Sequence, residues 1–299
     1  MRPFFIVNPV AGGGACEERF ARVKQYLSDR CVEFGWVMTE RADQSAELAE
    51  NAYSAGERFI VAVGGDGTVN EVASALYNKK DAVMGICAFG TGNDFVRVLQ
   101  LPTEPEQAAE TLVSGEPTAV DIGLVGSKPF INVAGFGFDV DVVINTEKYK
   151  ARFHGMIPYL LGIVKSLLHL RTVKVKLTAD DRELEREVTI CAIGNGSHFG
   201  GGMKALPLAS ATDGLLDVCV ISKIRLPRFL VLLPSFIKGK HLGKKCVEYF
   251  RAAKVEIEGP RTPMQLDGEL GEYCPASVRV VPACLRVMLP KDRRLATEG

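Results

Sequence analysis

The sequence predicts an α/β fold that continues into a β-rich region, and three observations carry that expectation. Residues 1 to 125 alternate short apolar runs with amphipathic ones; beyond about Asp121 strand-like runs are separated by turns carrying Gly, Asp and Pro; and glycine-rich loops stand where apolar runs give way to helix-compatible ones. Strand-helix alternation argues for a mostly parallel sheet flanked by helices, with ligands bound beyond the carboxyl ends of its strands.

Taken in order, the first half reads as strand at Phe4 to Val7, helix at Glu17 to Cys31, strand at Phe34 to Thr39 and helix at Ser45 to Ala55. It continues as strand at Phe59 to Val63, helix at Val69 to Tyr77, strand at Val83 to Ala88 and helix at Glu106 to Ser114. The second half reads as strands at Val173 to Thr178, Val188 to Ile193, Leu215 to Ile221, Lys254 to Ile257, Val278 to Val281 and Leu285 to Leu289. Helices interrupt it at about Ile157 to Leu170 and Pro227 to Ile237, where apolar residues recur at helical spacing.

A length of 299 residues with 47% hydrophobic content excludes a disordered chain and suits two domains, and there is no internal repeat. The net charge is zero, but residues 1 to 125 hold 10 Lys+Arg against 18 Asp+Glu and the remainder 26 against 18, or −8 and +8. The eight cysteines are scattered without metal-ligand spacing, which favours reduced thiols, and the four histidines form no metal or triad pattern. The chain begins directly in a strand, and Lys165 or Pro234 breaks its longest apolar runs well short of bilayer length, so it reads as a cytosolic protein.

Chemistry concentrates in a few motifs. In Gly64-Gly65-Asp66-Gly67-Thr68 the glycines permit close approach of backbone to phosphate, and Thr68 can cap the next helix. A carboxylate beside phosphate repels it unless a cation intervenes, so Asp66 points to Mg²⁺; read alone, the same loop is also a tight turn capped by Asp66. Asn8-Pro9-Val10-Ala11-Gly12-Gly13-Gly14 is a second such loop, without the Lys-Ser/Thr of a Walker motif or the spacing of a dinucleotide fingerprint. Gly90-Thr91-Gly92-Asn93-Asp94-Phe95 is a third. Asp267-Gly268-Glu269 sets two carboxylates at alternate positions, which in an extended segment face the same way, one to accept a hydroxyl proton and one to support it.

Asn8-Pro9 with its glycines, Gly64 to Glu71 and Gly90 to Phe95 together resemble the diacylglycerol kinase catalytic family, which includes sphingosine, ceramide and bacterial lipid kinases. The likeness continues in the family's order through Val120-Asp121-Ile122-Gly123, Gly200-Gly201-Gly202-Met203, Asp213-Gly214-Leu215-Leu216-Asp217-Val218 and Asp267-Gly268-Glu269, and so spans nearly the whole chain. It implies an N-terminal α/β domain similar to NAD kinase and phosphofructokinase, followed by a β-sandwich domain. Residues 1 to 125 then form the nucleotide-binding part and 126 to 286 the lipid-substrate part, with a tail from about 287 to 299 packing back on the first.

Carried over residue by residue, the resemblance implies ATP contacts from Asn8, Pro9, Val10, Ala11 and Gly12, from Thr39, from Gly65, Asp66, Gly67, Thr68, Val69, Asn70 and Glu71, and from Thr91. It implies Mg²⁺ held by the Asp213 carboxylate and the carbonyls of Ser210 and Leu215, with Asp121 joining Asp66 in an aspartate-water-magnesium network. It makes Glu269 the base, with Asp267 the next candidate and Asp66 the organiser of the magnesium. The expected activity is ATP-dependent phosphorylation of a lipid hydroxyl, with diacylglycerol giving phosphatidic acid as the leading case. A soluble-substrate kinase of the NAD kinase type and a non-catalytic lipid-binding protein on a kinase scaffold stay open as alternatives.

Two basic, apolar segments without an acid suggest where the lipid arrives. Residues 148 to 176 set Lys148, Lys150, Arg152, Lys165, Arg171, Lys174 and Lys176 around apolar residues including Met156, Ile157, Tyr159, Leu160 and Val164. Residues 223 to 245 repeat the pattern with Lys223, Arg225, Arg228, Lys238, Lys240, Lys244 and Lys245 around Phe229, Leu230, Leu232, Leu233, Phe236 and Ile237. Such segments suit reversible docking on an anionic leaflet, so a cytoplasmic protein held peripherally at the inner face of the membrane is expected. The expected partner is lipid rather than nucleic acid, and the resemblance allows a homodimer.

Overall fold

The computed structural model describes residues 1–150, 157–180 and 182–291, and within it the chain divides into two compact units. One comprises Met1–Asp121 together with the segment from Ala283 onward; the other is Ile122–Pro282.

In the first unit, β1 (Phe4–Val7), β2 (Gly35–Met38), β3 (Phe59–Gly64) and β4 (Val83–Ala88) form a parallel sheet in the order β4-β3-β1-β2. Its register sets Ile6 beside Val37 on one side and Ala62 on the other. Strands β3 and β4 are buried throughout, which is why their sequences are continuously apolar rather than alternating. Helix α1 (Cys16–Ser28) sends Phe20, Val23 and Leu27 onto Phe5, Val7, Val61 and Val63. Helix α2 (Ser45–Ser54) packs with α3 (Asp66–Leu76); a short α4 (Asp94–Val98) follows β4, and α5 (Pro105–Ser114) packs with α1. The strand β5 (Glu116–Val125) leads out of this unit.

The second unit is dominated by antiparallel strands. A hairpin runs from β5 through Gly126, at φ 59°, to β6 (Lys128–Phe130) and is followed by β7 (Val133–Gly137) and α6 (Phe138–Lys150). Next come α7 (Ile157–Leu167), β8 (Val173–Ala179), β9 (Arg182–Gly194), β10 (Leu216–Ser222), α8 (Leu226–Ile237), β11 (Val247–Ala252) and β12 (Lys254–Leu266). The last strand, β13 (Glu269–Leu289), pairs antiparallel with β12 and ends in the first unit, where Val287 lies parallel beside Met84.

The two 13-residue strands β9 and β12 explain the layering. Each pairs with β8 along one stretch and with β7 along another, so β7, β9, β8 and β12 close a ring. Strands that bond to different neighbours along their length wrap one layer over the other. The core inside includes Phe130, Phe136, Val188, Ile193, Val218, Val255, Met264 and Val278.

Helix α6 is absent from the expected elements. Phe138-Asp139-Val140-Asp141-Val142 alternates apolar and acidic residues with the period of a strand, and packing against α7 overrides that local preference. The run from Val278 to Leu289 is one strand rather than two; Ala283, at φ 49°, marks an irregular point that reads locally as a break.

Candidate active site

Three loops meet at the carboxyl ends of β1, β3 and β4, as parallel strands require. After β1, Gly12, Gly13 and Gly14 all take positive φ (61°, 71° and 93°), a path open to glycine. A Cβ on Gly12 would stand 2.2 Å from the Phe89 carbonyl oxygen, whereas Gly13 and Gly14 face open space. After β3 and β4, Gly65 and Gly90 pack backbone to backbone, and a Cβ on Gly90 would come within 2.4 Å of the Gly65 Cα. These glycines therefore let one loop touch another, a role that glycine count alone does not reveal.

Asp66 joins the same loops. Its carboxylate accepts the Asn93 N–H at 2.7 Å and the Asp94 N–H at 2.7 Å, one on each oxygen, at the start of α4. Asn93 takes φ 55° there, a left-handed geometry that Asn tolerates, and its side chain donates to the Gly90 carbonyl at 3.0 Å. Helix α3 begins at Asp66, three residues before the expected start, with Gly65 as an N-cap that has no side-chain bond. Thr68 consequently lies inside the first turn rather than capping it; its hydroxyl is buried and accepts the Asn8 side-chain amide at 3.1 Å.

The remaining nucleotide candidates divide by what they touch. Glu71 accepts the Ser45 N–H at 2.7 Å and so holds the first turn of α2, which favours a negative group. Thr39 is half-buried just past β2 and donates its N–H to Val7. Val69 is buried within α3, while Val10, Gly67 and Thr91 are exposed and Pro9 and Ala11 half-buried in their loops. The side-chain oxygens of Asn8, Asn70 and Asn93 are buried with no hydrogen-bond partner among the described residues. Buried amide oxygens normally find donors, so these unmet acceptors, beside the exposed glycine loop of Gly12 to Gly14, fit a polar ligand such as a nucleotide with its water.

Asp121 is buried in β5 and accepts the Ala283 N–H at 2.8 Å. Asp213 stands in the turn before β10 and accepts the Leu215 N–H at 3.1 Å, while the Arg251 guanidinium lies 3.8 Å from its other oxygen. Arg251 also reaches the buried Asp217, at 3.4 Å. Among the described residues no cluster of three or more His, Cys, Asp or Glu side chains forms a metal cage. One carboxylate with the main-chain carbonyls of Ser210 and Leu215 is nevertheless an oxygen-only set, which fits a hard cation such as Mg²⁺ that keeps several waters or phosphate oxygens.

In the second unit, Asp267-Gly268-Glu269 is not extended. Asp267 (φ 49°) and Gly268 (φ 92°) are the two central residues of the β12–β13 hairpin, across which Leu266 pairs with Glu269. Two positive φ values in a two-residue hairpin explain Asp-Gly at this point. The two carboxylates therefore do not share one face of an extended strand, and they occupy different surroundings. Asp267 accepts the N–H groups of Ile131 (2.7 Å), Asn132 (2.9 Å) and Val133 (2.9 Å), whereas Glu269 is exposed.

Beneath this turn lies a group the sequence reading passed over. Asp139, in the first turn of α6, is buried, and its Oδ2 accepts the Gln265 side-chain amide at 3.2 Å. Burial pushes its carboxyl up to about 7, and the hydrogen bond from Gln265 opposes that rise. Two acids, Asp139 and Asp141, inside the otherwise apolar run Val133 to Val143 were the available signal. Of the histidines, His241 is buried with Nε2 3.0 Å from the Ala205 carbonyl, a packed structural residue, and His154 lies outside the described residues.

The basic segments carry less unpaired charge than their sequences suggest. Acids from elsewhere in the fold meet four of the cations: Asp141 meets Arg171, Glu185 meets Lys174, Glu183 meets Lys176 and Glu187 meets Lys223. Lys165, Arg228, Lys238 and Lys240 have no ion pair among the described residues. Helices α7 and α8 each bury one face in a common cluster that includes Ile163, Leu167, Phe229, Leu232 and Phe236. Their other faces expose Ile157, Leu160, Val164 and, just past α7, Leu168, and on α8 Leu230, Val231 (77% exposed) and Ile237. Arg152, Met156 and the side chains of Lys150 and Tyr159 lie outside the described residues.

Comparison with known proteins agrees over the full chain. Residues 2–125 match the diacylglycerol kinase catalytic domain, and residues 132–289 match the YegS C-terminal NAD kinase beta sandwich-like domain. A protein named diacylglycerol kinase from Mycobacterium tuberculosis is 31% identical over 294 residues, 96% of this chain and 94% of its own. One of the same name from Bacillus subtilis is 28% identical, covering 98% and 97%, and a probable lipid kinase YegS-like from Chromohalobacter salexigens is 30% identical, covering 93% and 89%. A crystal structure of a diacylglycerol kinase from Bacillus anthracis superimposes with a TM-score of 0.74 at 20% identity over 97% of each chain, a likeness of fold.

Proposed function

The chain belongs to the diacylglycerol kinase catalytic family of lipid kinases, and from that premise we propose that it transfers the γ-phosphate of ATP to the free hydroxyl of diacylglycerol, giving phosphatidic acid. The observation that carries this choice of acceptor is the whole-length match to proteins that bear the name diacylglycerol kinase. The alternative of NAD as acceptor has no such support, and a non-catalytic role does not accord with membership in a kinase family.

In this reading Asn8 to Gly12 and Thr39, with Gly65 to Glu71 and Thr91, receive the nucleotide, and the unmet side-chain oxygens of Asn8, Asn70 and Asn93 bind it or its water. Phosphoryl transfer needs positioning and charge neutralisation more than covalent help. Mg²⁺, when bound, would supply that neutralisation: the Asp213 carboxylate and the carbonyls of Ser210 and Leu215 would hold it, and Asp66 with Asp121 would form an aspartate-water-magnesium network. Glu269 is the base: it is exposed on the turn, while three amide donors hold the Asp267 carboxylate in place. The lipid oxygen freed of its proton attacks the γ-phosphorus and ADP leaves.

The exposed apolar faces of α7 and α8, with Lys165, Arg228, Lys238 and Lys240, support docking on an anionic leaflet. No helix among the described residues is long and apolar enough to cross a membrane. We read the protein as cytoplasmic, held peripherally at the inner face of the membrane, and supplying a step of phospholipid biosynthesis. Incubation with radiolabelled ATP and a panel of diacylglycerol, monoacylglycerol, ceramide, sphingosine and phosphatidylglycerol in mixed micelles tests the acceptor. Label in phosphatidic acid above all other products is expected; preferential label in another lipid overturns diacylglycerol as the substrate.

A further inference from the structure

Three bonds from Asp267 hold the near side of the hairpin turn, and a separate pair of bonds reaches it from below. The Gly268 N–H donates to Gln265 Oε1 at 2.8 Å, and Gln265 Nε2 donates to Asp139 Oδ2 at 3.2 Å. Gln265 is 1% exposed and Asp139 6%, so water does not compete for these bonds. An amide side chain has one accepting end and one donating end, and the two partners leave it a single orientation: the Gly268 N–H requires the oxygen, and the carboxylate requires the nitrogen.

The fold makes room for this contact. A Cβ on Gly135, in β7, would stand 2.4 Å from Asp139 Oδ2, and Gly135 pairs with Gln265 across the β7–β12 ladder. The strand is therefore bare where the carboxyl lies against it. Asp139 Oδ1 is buried with no hydrogen-bond partner among the described residues, and burial pushes the carboxyl up to about 7. Protonation on Oδ1 leaves Oδ2 an acceptor, so the bond to Gln265 survives in either charge state.

We propose that Asp139 is a positioning residue for phosphoryl transfer: by orienting Gln265 it fixes the Gly268 N–H and, through it, the setting of Glu269 at the next residue. The proposal rests on the reading of Glu269 as the base. A rigid support matters because a misplacement of about 1 Å in a reacting group can cost on the order of 100-fold in rate.

Steady-state kinetics with ATP and diacylglycerol test it through a polarity swap. Asp139→Leu and Gln265→Leu are expected to lower kcat about 10- to 100-fold and leave the KM for ATP within about twofold. Asp139→Asn keeps an oxygen toward Gln265 and is expected to hold kcat within about threefold. Gln265→Glu brings two carboxyls together that share one proton near neutral pH, so kcat is expected to fall as pH rises well above 7 and both ionise, and the comparison is made at that high pH. Adding Asp139→Asn to it restores kcat, because the new amide donates to one oxygen of the new carboxylate while the other still accepts from Gly268. A packing role alone does not produce that reversal, and the swap variants are near-isosteric, so the test survives if a leucine variant fails to fold. Wild-type kcat in both leucine variants, Asp139→Asn as slow as Asp139→Leu, or a double variant as slow as Gln265→Glu overturns the proposal. Glu269→Gln is assayed alongside. Full activity there removes the reading of the base, whereas an inactive Glu269→Gln beside unaffected Asp139 and Gln265 variants removes the positioning role alone.

Discussion

Replacing Asp267 separates support from chemistry in the hairpin turn. Its carboxylate accepts three backbone N–H groups, from Ile131, Asn132 and Val133, at 2.7, 2.9 and 2.9 Å. Hydrogen bonds to a charged group contribute about 1.5–3 kcal/mol each, and this side chain is half-buried, so the lower end applies and three bonds come to about 4.5 kcal/mol. Asp267→Ala also places a Cβ residue without a helpful side chain at φ 49°, adding about 1 kcal/mol. Asp267→Asn tolerates that backbone, keeps an oxygen for Asn132 and Val133, and turns its NH₂ toward the Ile131 N–H, for a loss of about 1.5 kcal/mol. Equilibrium urea unfolding followed by circular dichroism reads both differences. An alanine variant within about 1 kcal/mol of wild type, or an asparagine variant as unstable as alanine, refutes the assignment of Asp267 as the anchor of the turn.

Other consequences follow from single contacts. Gly90→Ala forces a Cβ to 2.4 Å from the Gly65 Cα and is expected to cost about 1–3 kcal/mol and raise the KM for ATP, whereas Gly65→Ala meets its nearest atom at 3.4 Å and is tolerated; equal thermal stability and KM in the two variants contradicts the loop packing. Asp139 has a folded value of about 7 against an ordinary 3.8, so between these pH values the native state binds more protons than the unfolded one. Its contribution is intact below about pH 4 and is lost as pH rises toward 7, by about 4 kcal/mol at most; Asp139→Asn should flatten that part of the stability curve measured by urea unfolding, and an unchanged slope contradicts it. Leu160→Asp combined with Val231→Asp should weaken sedimentation with anionic vesicles at least about tenfold, and raised salt should weaken wild type, since each cation near the surface contributes about 1 kcal/mol. Undiminished binding of the variant removes α7 and α8 as the docking face.

Much of the first unit is legible because its signals are local. Phe4 to Val7 and Val83 to Ala88 are strands to the residue, apolar runs bounded by polar ones in a sheet covered on both sides. The start of α3 is less so, because Gly64-Gly65-Asp66-Gly67 reads as loop although Asp66 already lies in the helix. In the second unit the long strands β9 and β12 change partners along their length, and no local pattern encodes that exchange. The site follows the same division. Its glycines and aspartates stand out by type and spacing, but that Asp66 binds backbone amides 27 and 28 residues away and Asp267 amides 134–136 residues away depends on the fold. Gln265 shows nothing at all in sequence, since its importance lies in which group faces each end of one amide.

The central claim is that an exposed glutamate on a rigidly held turn takes the proton from a diacylglycerol hydroxyl while ATP donates its phosphate. Single-turnover transfer from γ-labelled ATP to diacylglycerol, in wild type and in Glu269→Gln of matched unfolding midpoint, tests it most directly. The account predicts labelled phosphatidic acid from wild type, and from Glu269→Gln a rate lower by on the order of 100-fold or more with nucleotide affinity unchanged. Equal transfer rates in the two proteins, or no labelled phosphatidic acid from wild type, contradicts it.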